Sequence, residues 1–210
     1  MSWEYYGACA ALEALKPWLI GDLGLQNAVA VHVSSEKAKG GQGGICFGRY
    51  TPGCSDIVLY ATNIWDYVGH DAQAFVRRMC VTIAHELRHA WQDEQSMPYD
   101  HGLPYAERPS ERDARDYAAS VMIRFTIDVD LIVECANALH QAATQRTPWR
   151  SNRLTPVANA IVVEIIEARR WTGEDWRYWR DCVKARHDRS PSTVLAPEAQ
   201  HAIVPHGVPP

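Results

Sequence analysis

A chain of 210 residues is long enough to bury one sizeable core and short for two. With 47% hydrophobic and 22% charged residues and a net charge of −4, it has the composition of a globular protein. No apolar run approaches the ~20 residues of a membrane-spanning helix, and the opening MSWEYYGACAALEAL lacks the basic segment of a secretory leader. The expected location is therefore the cytoplasm, with no membrane partner.

Residues 3–20 are predicted to form a helix with Leu12, Leu15 and Leu19 on one side, Pro17 near its end, and Gly21 to Gly24 breaking it. The alternating run AVAVHVSS (28–35) predicts a strand. After a glycine-rich turn at 37–44, ICFGRY (45–50) and DIVLYAT (56–62) predict two more, joined through Pro52-Gly53. His32 lies within the first strand and is read as structural. The six cysteines form no C-x-x-C pair, so a cysteine zinc site is not expected. Cys46 and Cys54 flank the predicted turn of a hairpin, where a disulfide would fit. Without a leader, reduced thiols are the expectation.

The next helix organises the chain. Phe75, Met79, Ile83, Leu87 and Trp91 recur every four residues as an apolar stripe. Leu87 lies two positions from His85, about 200° round the helix, so His85 and His89 face away from that stripe. His85, Glu86 and His89 form H-E-x-x-H. Imidazoles four residues apart on a helix stand on one face and can close on a single zinc ion, while Glu86 reaches the open coordination position as a general base. The loop at 96–109 contains Tyr99, His101 and Tyr105, any of which would serve as a donor to a developing oxyanion.

A further helix opens at Pro109-Ser110, with Ser110 and Asp113 spaced as a capping box. Ala114, Ala118, Val121, Met122 and Phe125 form its inward stripe, and Glu111 stands at the start of that same face. A carboxylate so placed requires a partner, which a metal ion would supply. Small residues at 114 and 118 allow this helix to approach the first closely. Residues 128–143 predict a third helix with Leu131, Cys135 and Leu139 in line. Helices from Thr155-Pro156 to about Arg170 and over 174–187 follow. Residues 144–189 carry ten Lys/Arg against six Asp/Glu, interleaved with Trp. That mixture permits weak nucleic-acid contact through a basic C-terminal third, although Trp packing at helical spacing explains it more simply. The expected organisation is one domain over 1–188, helical from about 128, and a proline-rich flexible tail over 189–210.

HELRH followed by Glu111, Ala114, Tyr117 and Ala118 in an E-x-x-A-x-x-[FY]-A pattern resembles the gluzincin zinc metallopeptidases. It is most similar to the compact cytosolic ImmA/IrrE type and more loosely to the membrane HtpX type. The resemblance covers roughly 56–125. It implies an α+β, zincin-like minimal metallopeptidase: a short N-terminal sheet, the H-E-x-x-H helix, and a helical C-terminal part. It also implies one Zn²⁺ per chain held by His85, His89 and Glu111, with Glu86 as base in the hydrolysis of a protein or peptide substrate. In peptidases of this element order an edge strand beside the metal helix pairs with extended substrate; the sequence leaves open which strand that is. Arg115 departs from the pattern, because those families carry Asp or Asn there to support a ligating His; Asp113 or Asp116 is the expected substitute. The alternative is a non-catalytic metal-binding or protein/DNA-binding module on the same scaffold.

Overall fold

The computed structural model describes residues 2–40, 44–99, 102–124 and 128–145. Within them the chain is α+β: helix α1 (Trp3–Leu23), strands β1 (Ala30–Ser34), β2 (Gly48–Thr51) and β3 (Asp56–Tyr60), then helices α2 (Ala61–Tyr67), α3 (Ala72–Glu94), α4 (Pro109–Arg124) and α5 (Val129–Gln145). The predicted helices at 155–170 and 174–187, the basic stretch, the tail and His101 lie outside the described residues.

Helix α3 forms the centre because two of its faces have partners. The Asp71 side chain caps its start by accepting from the Ala74 N–H at 2.8 Å. Phe75, Met79, Ile83 and Leu87 are all buried against a core shared with Leu12, Leu15 and Leu19 of α1 and Ile132, Cys135 and Leu139 of α5. On another face, Ala114 and Ala118 are buried, so α4 packs closely along α3. At its far end the helix ties down two loops. Asp93 accepts from the Tyr50 hydroxyl at 2.7 Å and the Gly53 N–H at 2.9 Å. Glu94 accepts from the backbone of Gln26 and Asn27.

The sheet order is β1-β3-β2, with β1 parallel and β2 antiparallel to the central β3. Strand β2 is therefore an edge, and it lies against α3: a Cβ built at Gly48 would sit 2.7 Å from Glu86 Cγ and 2.9 Å from Thr82 Cγ2. Only a residue without a side chain lets the strand come this near the helix.

Several expectations are corrected. Helix α1 does not end at residue 20. It runs on to Leu23 and ends at Gly24, whose φ of 63° is the left-handed conformation that glycine adopts freely. The strands are shorter than 28–35, 45–50 and 56–62, and Ala61 starts α2, a short helix the alternation of DIVLYAT concealed. Ser110 is buried inside α4 and forms no capping box with Asp113, whose carboxylate is spent on Arg88 and Gln92. His32, read as structural, pairs with Asp56 at 3.0 Å on the surface. Cys46 and Cys54 are free thiols, as expected of reduced cysteines. Among the described residues no helix is long and apolar enough to cross a membrane.

Candidate metal centre

Helix α3 brings the two imidazoles together, and α4 brings the carboxylate to them. His89 Nε2 lies 3.1 Å from His85 Nε2. Glu111 Oε2 lies 3.3 Å from the first and 3.5 Å from the second of those nitrogens, counting His85 first. His89 and Glu111 are buried and His85 nearly so. These three residues form a group that can hold a metal ion.

The distances suit one particular chemistry. Ligand atoms about 2.0–2.1 Å from a tetrahedral zinc are separated from one another by about 3.3–3.4 Å, which the three observed separations bracket. Glu111 Oε2 is buried and makes no hydrogen bond of good geometry despite its two neighbours. Three electron-pair donors face one another here, an arrangement tolerable only around a shared proton or a cation. The charge balance agrees. Burial alone would raise Glu111, but the two imidazoles and the Tyr105 hydroxyl hold its carboxyl well below the usual range. Burial alone would lower His89, yet the Glu111 and Glu86 carboxylates outweigh it and raise it.

The tautomer of His89 follows from its neighbours. Gln92, completely buried, approaches the Ser110 carbonyl at 2.8 Å and Asp113 Oδ2 at 2.7 Å. Both are acceptors, so the amide nitrogen of Gln92 faces them and its oxygen faces His89 Nδ1 at 2.8 Å. Nδ1 therefore donates, and Nε2 is free to offer its lone pair to a metal. Behind Gln92, Asp113 is held by a forked pair from Arg88 at 2.8 and 3.0 Å, and Arg88 stacks 3.7 Å over the Trp91 ring. Asp113 thus takes up the supporting role through Gln92, whereas Asp116 is exposed. Gln92 belongs to no motif and is not among the predicted site residues. Its position, three residues after His89 on the same helix face, was the available signal. Arg115, which replaces the expected acid, instead donates to the Ala106 carbonyl at 2.8 Å and so fixes the turn that holds Tyr105.

Glu86 is buried beside this group, pressed by Gly48. Burial raises its carboxyl, with Glu111 adding to that and the two imidazoles and the Tyr50 backbone N–H opposing it. A carboxylate held above its ordinary range and next to a cation site is suited to accept a proton. Of the three expected oxyanion donors, Tyr105 places its hydroxyl at Glu111. Tyr99 donates to the His89 carbonyl at 3.0 Å, which ties its ring to the metal helix.

A family model described as "Protein of unknown function (DUF3920)" matches residues 71–128. The matched stretch runs from the α3 cap through α4 and so contains His85, Glu86, His89, Gln92, Glu111 and Asp113. No curated protein and no solved structure matches the chain.

Proposed function

We propose that this protein is a zinc-dependent peptidase on a zincin-like scaffold, acting on a protein or peptide substrate in the cytoplasm. The convergence of His85 Nε2, His89 Nε2 and Glu111 Oε2 within 3.1–3.5 Å, with Glu86 beside them, carries the proposal. Two neutral imidazoles and one carboxylate are a donor set typical of catalytic zinc, which leaves a coordination position open. The antiparallel edge strand alongside the metal helix supports the same reading, since it offers main-chain groups to an extended peptide.

His85, His89 and Glu111 would hold the zinc, which when bound would supply a Lewis acid and lower the pKa of a water to about 7. The role of Glu86 would be to accept a proton from the attacking water and return it to the leaving amine. The Tyr50 N–H and the close strand at Gly48 keep its carboxylate on the side of α3 facing β2. Gln92 and Asp113 keep His89 in the tautomer that ligates. Tyr105, on the turn that Arg115 pins, would donate to the developing oxyanion by turning its hydroxyl away from Glu111.

The test is direct. Purified protein should contain about one zinc per chain; Glu86→Gln should keep the metal and lose cleavage of a broad peptide library; His89→Ala should lose the metal. Zinc retention with no cleavage by the wild type would refute the peptidase and favour a non-catalytic binding module.

A further inference from the structure

Arg88 and Arg78 lie on the same helix with different surroundings. Arg88 is spent on Asp113. Arg78 has no acidic partner among the described residues, and its Nε is buried without an acceptor. Its guanidinium carbon lies 4.5 Å from the centre of the Phe47 ring and 5.4 Å from that of Tyr67, two rings that meet edge to face 5.0 Å apart. Aromatic rings beside a guanidinium engage its charge but accept no hydrogen bond in the plane of its N–H groups, and the Nε of Arg78 is left without an acceptor. The N–H edge of a guanidinium matches a carboxylate in fork geometry.

The position of this socket relative to Glu86 gives it meaning. Arg78, Thr82 and Glu86 succeed one another at four-residue steps, a row about 12 Å long on the helix axis. The Thr82 hydroxyl donates to the Arg78 carbonyl at 2.9 Å. Strand β2 follows the row in the same direction: Phe47 precedes it at Arg78, Gly48 touches Thr82 and Glu86, and Tyr50 reaches Asp93. A peptide paired antiparallel with this edge would run the other way and point its C-terminal end at Arg78. At about 3.4 Å per residue, the socket would lie about three to four residues beyond the peptide bond held at Glu86.

We propose that Arg78, walled by Phe47 and Tyr67, is a carboxylate-binding subsite for the C-terminal side of a bound peptide. Its ligand is either an Asp or Glu side chain or the terminal carboxylate itself. The proposal takes its peptide orientation from the peptidase reading, and its test is separable from that reading.

A random peptide library, half with free and half with amidated C-termini, is incubated with full-length Glu86→Gln protein in the presence of zinc. Retained peptides are identified by mass spectrometry. Several-fold enrichment of Asp or Glu at one position indicates the side-chain source, and enrichment of free over amidated termini indicates the terminal one. Either enrichment should vanish when Arg78→Gln is added. It should fall several-fold with Arg78→Lys, which keeps the charge and loses the fork, and which substitutes for the first variant should that one not fold. No retention, no acidic enrichment, or enrichment that survives both variants overturns the proposal. Cleavage of the same library by the wild type scores the peptidase reading alone. Cleavage with no acidic preference removes only the subsite, and acidic retention without cleavage removes only the peptidase.

Discussion

At the scale of single residues, the chemistry depends on which nitrogen of His89 carries a proton. Gln92 decides that, because two acceptors claim its amide nitrogen and leave only its oxygen for the imidazole. Gln92→Leu keeps the approximate volume and removes the acceptor. Zinc affinity, measured by competition with a chromophoric chelator, should fall ten- to a hundred-fold, about the effect expected when a metal-bound His loses its partner. Unchanged affinity would show that packing alone orients the ring. Leaving Asp113 and the Ser110 carbonyl short of a donor should also cost about 1–3 kcal/mol in denaturant unfolding.

At the scale of elements, two close approaches build the site, and each rests on a missing side chain. Strand β2 reaches Glu86 because position 48 is glycine. Gly48→Ala should therefore reduce peptide hydrolysis several-fold while leaving bound zinc at wild-type stoichiometry, since the new methyl group presses on the base and not on the ligands. Helix α4 reaches α3 because Ala114 and Ala118 are small and buried. Ala114→Leu should cost about 1–3 kcal/mol from overpacking. It should weaken zinc binding as well, by moving Glu111 away from the two imidazoles. Asp116→Ala, on the exposed side of the same helix, should change stability by no more than about 0.5 kcal/mol and leave zinc binding intact. Equal loss of zinc in both variants would argue against helix spacing as the cause.

For the whole molecule, metal and fold are linked. His85, His89 and Glu111 come from two helices separated by a loop, so an unfolded chain does not present them together, and zinc bound there would stabilise the native state. At free zinc a hundred times the dissociation constant the gain is about 2.7 kcal/mol. Chelation should thus lower the thermal midpoint of the wild type and of Glu86→Gln alike, and leave that of His89→Ala unmoved. A chelator-insensitive wild type would mean that the centre does not take metal. Long-range ties hold the same elements in place: Asp22 at the end of α1 accepts from Tyr117 and, through a fork, from Arg124 of α4.

What the sequence determined by itself is local. The four-residue spacing of His85 and His89, the opposed apolar stripe, and the alternating run at 28–35 follow from the periods of helix and strand, which need no knowledge of distant residues. Glu111 was legible because an acid at the head of an apolar stripe needs compensation. Only the tertiary structure decided the rest. It placed β2, not DIVLY, at the sheet edge beside α3, because strand order is set by pairing between segments remote in sequence. It also set Gln92 between His89 and Asp113, because a buried amide takes its orientation from whatever acceptors another helix presents to it.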